Sequence, residues 1–86
     1  MKTFEEFRQE VNIELEYLGQ FEFVEDGGIY YASKRLASDY FWVNYDAEDD
    51  VEDEDKRYLF IRDNKDNDTS NVGFGRDLKT AIADAG

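Results

Sequence analysis

Residues 46–55 carry eight carboxylates in ten positions, Asp46-Ala47-Glu48-Asp49-Asp50-Val51-Glu52-Asp53-Glu54-Asp55. No fold can bury such a run, because an unpaired carboxylate is too costly to desolvate and these have no counter-ions among themselves. The run is therefore expected at the surface, as a solvated and mobile connection. It divides the chain into one apolar stretch before it and another after it.

The apolar pattern on either side predicts the elements. Phe4, Phe7, Val11, Leu15 and Leu18 recur at steps of three and four, which predicts a helix over residues 4–18 with those side chains on one face. Thr3 and Glu6 fit a capping box at its start, and Gly19 stands where a residue of positive φ would end it. The alternation of Val11, Ile13, Leu15 and Tyr17 with polar residues is a competing strand pattern, and the start and stop signals favour the helix. Residues 21–24 and 29–31 are strand-like and flank Glu25-Asp26-Gly27-Gly28, a hairpin turn sequence. After a polar link at Ser33-Lys34-Arg35, residues 40–45 predict a third strand, and residues 58–61, beyond the acidic run, a fourth. Residues 63–71 hold no apolar side chain and are expected to be a surface loop. Leu78, Ala81, Ile82 and Ala85 predict a closing helix capped by Asp77 or Gly75. The expected architecture is one α+β domain over residues 1–86, an antiparallel sheet of three or four strands with an N-terminal and a C-terminal helix on one face.

Charge sets the class of partner. The chain holds 22 Asp and Glu against 10 Lys and Arg, a net charge of -12, and residues 1–55 account for all of the excess with 17 acidic and 4 basic side chains. A chain of this sign repels phosphate, which excludes direct binding to nucleic acid or to an anionic membrane through a basic patch and leaves basic proteins or cations as partners. Seven Phe, six Tyr and one Trp separate it from aromatic-poor disordered acidic chains. With no His and no Cys, the commonest general base, the commonest transition-metal ligand and the thiolate nucleophile are all missing. The serines and threonines have no histidine to activate them, so no enzyme and no cofactor are expected. The absence of Cys suits a reducing compartment. The acidic N-terminus lacks the basic and apolar regions of a signal peptide, and no stretch has 18 apolar residues, so a cytoplasmic protein with no membrane partner is expected. A chain this small has a narrow stability margin, to which a homodimer would add.

The acidic run is the first candidate contact surface, through Asp46, Glu48, Asp49, Asp50, Glu52, Asp53, Glu54 and Asp55. If extended, ten residues reach about 33 Å, so the carboxylates stand roughly 4 Å apart, close to the ~3.4 Å charge spacing of one DNA strand. Glu5, Glu6, Glu10, Glu14 and Glu16 lie mainly off the apolar stripe of the first helix, and Glu22, Glu25 and Asp26 follow on the first hairpin, giving a second acidic ridge. Two acidic ridges on a folded body would fit a basic groove built for nucleic acid, with counterion release as the driving force. Tyr40 and Trp42 fall on one face of their strand and Phe41, Val43 and Tyr45 on the other. If helices cover only one face, Tyr40 and Trp42 are expected to anchor an interface or a dimer seam.

In size, charge and style the chain resembles the small phage-encoded inhibitors that mimic DNA: anti-CRISPR proteins, anti-restriction proteins and uracil-DNA glycosylase inhibitors. The resemblance rests on the 48–55 charge run, the lack of Cys and Pro, and the exposed aromatics; no family motif accompanies it. It implies a non-enzymatic inhibitor acting in a bacterial host cell, whose partner is a basic nucleic-acid-binding protein such as a defence nuclease.

Three other patterns belong to other classes. Asp66, Asp68, Ser70 and Asp77 stand at positions 1, 3, 5 and 12 of a calcium-loop register, which would make the chain a small intracellular protein-interaction domain that binds calcium through residues 66–77. Against that register, Asn71 replaces the turn glycine and Asp77 the bidentate glutamate. Asp46 with Glu54-x-Lys56 matches the carboxylate–lysine arrangement of metal-dependent nucleases, a match that any run of eight acids makes cheaply. Ser33-Lys34-Arg35 is the only basic cluster before residue 56, and its expected role is to neutralise nearby acids.

Overall fold

Thr3 starts the first helix as the spacing predicts. Its side-chain oxygen accepts from the Glu6 N–H at 3.1 Å while the Glu6 carboxylate accepts from the Thr3 N–H at 2.9 Å, the reciprocal capping box. In the computed structural model, which describes residues 1–86, helix α1 spans Phe4–Glu14, and a 3-10 turn over Glu16–Leu18 carries the apolar stripe onward. Phe7, Val11, Leu15 and Leu18 are buried. Gly19 has φ of 84°, but it ends the 3-10 turn and not the α-helix.

Five strands follow as an antiparallel meander in which each strand pairs with the next: β1 (Glu22–Asp26), β2 (Ile29–Leu36), β3 (Asp39–Asp46), β4 (Tyr58–Asn64) and β5 (Thr69–Gly75). Helix α2 (Leu78–Ala85) closes the chain, capped by Asp77, which accepts the Thr80 N–H at 2.7 Å. The α+β architecture with a helix at each end is therefore as expected, and the sheet has five strands where three or four were predicted. Gly27 and Gly28, both at positive φ, make the two-residue turn between β1 and β2. Ser33, Lys34 and Arg35 are not a link between strands. They are the second half of β2, paired with Trp42, Phe41 and Tyr40.

The unforeseen strand is β5. The segment predicted as a loop, residues 63–71, is a hairpin in which Asp63 pairs with Ser70 and Asn64 with Thr69. Its core-facing positions include Gly73 and Gly75, because α2 lies directly on the strand. A β-carbon on Gly73 would fall inside the Ala81 carbonyl, and one on Gly75 would lie 2.6 Å from the Ala81 nitrogen. Helix backbone fills the space that side chains fill elsewhere, so the apolar side chains of β5, Val72 and Phe74, lie only on its exposed face.

The core sits between the helices and one sheet face. Phe7 of α1 stands over Tyr30, Tyr45 and Tyr58, with ring centroids 5.6, 6.1 and 6.4 Å away. Each buried phenol has a hydrogen-bond partner, as burial requires. Tyr45 accepts the Lys2 N–H, Tyr30 donates to the Lys2 carbonyl, and Tyr58 donates to the Glu10 carboxylate. Glu10 also accepts the Leu78 N–H at 3.0 Å and pairs with Lys2. It therefore leaves the predicted acidic ridge of α1 and instead ties α1 to β4 and to the start of α2. Burial first, and then the Glu10 hydrogen bond, push the Tyr58 phenol above its ordinary pKa. No helix is long and apolar enough to cross a membrane.

Candidate functional site

In an antiparallel meander, alternate connections fall at the same end of the sheet. The β1–β2 turn, the whole β3–β4 connection and the exit from β5 therefore come together. The β2–β3 and β4–β5 turns lie at the opposite end. Glu25 and Asp26 thus join the 46–55 run at one end. The contact is direct: the Ala47 N–H donates to the Gly28 carbonyl at 2.7 Å, and Glu48 packs on Gly28. The other end carries Lys34, Arg35, Arg62 and Lys65 alongside Asp39, Asp63, Asp66 and Asp68. Charge is polarised along the strands.

The run is not extended along its length. It turns at Asp49 and Asp50 and forms a 3-10 turn over Glu54–Lys56, so the regular spacing of a single DNA strand does not apply. Arg57 holds it. This buried side chain, only 8% exposed, donates from one guanidinium nitrogen to the Asp46 carbonyl at 2.6 Å and the Glu48 carbonyl at 3.1 Å. Its other two nitrogens grip the Glu54 carboxylate at 2.8 and 2.6 Å. That pairing holds Glu54 below the usual carboxylate range and raises Arg57. At the flank Arg76 donates twice to Asp55, at 2.9 and 2.7 Å. Asp46 and Asp53 bend the chain locally by accepting the N–H groups of Glu48 and Asp55.

The residues of the run therefore divide by role. Asp46, Asp53, Glu54 and Asp55 each accept hydrogen bonds that shape the loop. Glu48, Asp49, Asp50 and Glu52 are exposed and make no side-chain hydrogen bond or ion pair. These four are the free carboxylates of the loop. Sequence reasoning missed Arg57, and its one signal was the position of an arginine immediately after a run that needs a cation. It also missed Arg76, which comes to Asp55 only through the pairing of β4 with β5.

Tyr40 and Trp42 lie, as alternation predicted, on the sheet face that no helix covers. Tyr40 is six residues along β3 from Asp46, about 20 Å away, so the acidic end and the aromatic pair are separate surfaces. The calcium register does not converge. The whole of β5 separates Asp66 from Asp77, which caps α2. The nuclease-like triad does not converge either, since Glu54 is bound to Arg57 and the Lys56 ammonium lies 5.8 Å over the Phe74 ring. Lys34 and Arg35 neutralise no acid: neither has a carboxylate within ion-pair distance, and Arg35 stacks on Tyr40 at 4.9 Å. Comparison with family models, with curated proteins and with solved structures finds no match.

Proposed function

We propose that this chain is a non-enzymatic inhibitor whose acidic end stands in for nucleic-acid phosphates and occupies the nucleic-acid-binding groove of a basic protein, such as a host-defence nuclease. The observation that supports this reading is the gathering of the 46–55 run and the Glu25–Asp26 turn at one end of the sheet on a frame held by Arg57. Carboxylates gathered at one end of a folded sheet produce a focused negative field, which attracts a cationic groove and displaces its counterions as DNA does. Little ordering entropy is lost on binding, because the loop is already shaped.

The test is capture from bacterial lysate on the immobilised chain, with and without excess duplex DNA, followed by charge reversal of the free carboxylates. Recovery of a basic nucleic-acid enzyme that duplex DNA displaces, and loss of that enzyme with Asp49→Lys, Asp50→Lys and Glu52→Lys together, is the expected result. Capture indifferent both to DNA and to the charge reversal would sink the proposal.

A further inference from the structure

The two edges of the sheet differ. At β5 the outward N–H of Phe74 donates to the Asp84 carboxylate of α2 at 2.9 Å, and α2 itself lies on the strand. At β1 nothing plays that part. This strand pairs only with β2, and no hydrogen bond outside that ladder reaches residues 22–26. The two-residue turn at Gly27 and Gly28 makes Asp26 and Ile29 the hydrogen-bonded closing pair. Alternation along the antiparallel ladder then turns the N–H and C=O groups of Glu25 and Phe23 outward. Every residue of β1 except Phe23 is exposed, and the strand has no Pro, no Lys and no bulge to blunt the edge.

A groove accompanies this edge. On the helix side a cleft of about 170 Å³ is lined by Arg8 and Asn12 of α1 and by Gln20, Phe21 and Phe23 of the chain entering β1. Side chains of an added strand would alternate between this cleft and the open sheet face. An exposed edge beside a cleft that receives side chains is the arrangement to which extended segments add.

Charge decides which segment fits. Glu22, Glu25 and Asp26 make no ion pair, and beyond them at the turn Glu48 packs on Gly28. The nearby cations both lie toward the start of the strand. Arg8 is over the Phe23 ring at 5.3 Å and paired with Glu5, and Lys34 is beside Gly19. A second copy added through the same edge, antiparallel about Val24, would set Glu22 against Asp26 twice, and like charges directly opposite destabilise a pair. The acids thus block a strand of this chain and favour one of opposite charge.

We infer that the β1 edge takes an extended segment of a basic partner protein as a sixth strand, with lysine or arginine beside Glu25 and Asp26 and apolar side chains beside Phe23 and Val24. The outward backbone groups of Phe23 and Glu25 supply main-chain hydrogen bonds, and the acids supply the choice of segment. The contact is made by residues other than the free carboxylates of the 46–55 loop and does not depend on phosphate mimicry.

The probe is the peptide acetyl-Ser-Lys-Lys-Val-Val-Thr-Ser-amide, which as an antiparallel strand sets its lysines beside Asp26 and Glu25 and its valines beside Val24 and Phe23. It is titrated to about 2 mM, the range of a weak contact, into the full isotope-labelled chain and followed by amide NMR. The Phe23 and Glu25 amides should shift and exchange more slowly as occupancy rises. N-methylation of the second lysine and second valine, whose N–H groups would face β1, should weaken binding about 10-fold or more, whereas N-methylation of the first valine should change it less than about 3-fold. Glu25→Lys with Asp26→Lys should weaken the lysine peptide about 10-fold and strengthen its glutamate counterpart. The peptide series uses the unchanged chain, so it decides the matter even if that variant misfolds. Asp49→Lys, Asp50→Lys and Glu52→Lys together should leave the Phe23 and Glu25 response in place, which separates this contact from the proposed function. Phe23 and Glu25 amides unmoved by the peptide, an equal response to all the N-methylated forms, or a response lost with the loop charges would each overturn the inference.

Discussion

Arg57→Ala separates a structured acidic loop from a merely solvated one. The substitution removes two charge-assisted hydrogen bonds to the carbonyls of Asp46 and Glu48, at 2.6 and 3.1 Å. At about 1.5 kcal/mol each, the low end for charged donors, they amount to about 3 kcal/mol. The guanidinium also lies 5.8 Å over the buried Tyr45 ring, which adds about 0.5–1 kcal/mol. The expected loss is therefore about 3–4 kcal/mol, a large share of the roughly 4–13 kcal/mol typical of a domain this size. Thermal unfolding should show it as a fall of about 15–30 °C in Tm.

Glu54→Gln is the control. Glu54 is exposed, with water to replace the ion pair, so the midpoint should barely move although the same guanidinium loses its carboxylate. The local readout is hydrogen exchange at the Ala47 and Lys56 amides, which donate to the carbonyls of Gly28 and Asp53. Arg57→Ala should release both well below the global unfolding energy. A loss under about 1 kcal/mol with both amides still protected would refute the reasoning, because the loop would then hold its shape without the clamp.

Gly73→Ala should cost about 3 kcal/mol or prevent folding, since its β-carbon would overlap the Ala81 carbonyl of α2; a urea midpoint within error of the parent would show that α2 does not lie on β5 as described. Ala37, at φ of 55° in the β2–β3 turn, is a strained non-glycine, and Ala37→Gly should raise stability by about 0.5–1 kcal/mol in the same assay. Asn64 at 2.7 Å, and then Arg62 at 3.3 Å, hold the Asp39 carboxyl below its ordinary 3.8. Its contribution to stability is thus complete above that value and is lost as pH falls through the lowered folded-state pKa. Carboxyl-detected NMR should find the Asp39 midpoint below 3.8 and moving up in Asn64→Ala, and an unmoved midpoint would count against the pair.

The elements legible in the sequence are those whose side chains make their own case. Phe7, Val11 and Leu15 mark α1 because each fills the core at helical spacing. Tyr40 to Tyr45 mark β3 because alternation sorts them onto two faces, and the buried set is Phe41, Val43 and Tyr45. The fifth strand was not legible because its evidence lies in another element. Gly73 and Gly75 look like loop residues until α2 is placed on them. Glu10 was misread for a similar reason: its helical position says surface, and only Tyr58 and the N-terminus of α2 make it an inward-facing ligand. The acidic run was legible as charge but not as shape, since the loop is held by the guanidiniums of Arg57 and Arg76, whose partners local pattern does not assign.

Solubility alone would be served by the same carboxylates spread over the surface, where they would repel one another less. This fold does the reverse. Its topology delivers Glu25, Asp26 and the 46–55 run to one end, while Arg57 turns inward to backbone carbonyls and leaves Glu48, Asp49, Asp50 and Glu52 unneutralised beside it. At the far end Asp39 is paired to Arg62 and Asp63 bonded to Ser70, Asp66 and Asp68 are free, and Lys34, Arg35, Arg62 and Lys65 balance the four acids. Self-repulsion at the acidic end opposes folding. Under the proposed function the concentrated field is what that cost serves, since such a field attracts cationic surfaces that otherwise hold phosphates. Because the clamp and the free carboxylates are different residues, the proposal separates the two requirements by mutation: changes at Arg57 should lower both stability and capture of a basic protein, and changes at Asp49, Asp50 or Glu52 should lower capture with the thermal midpoint unchanged.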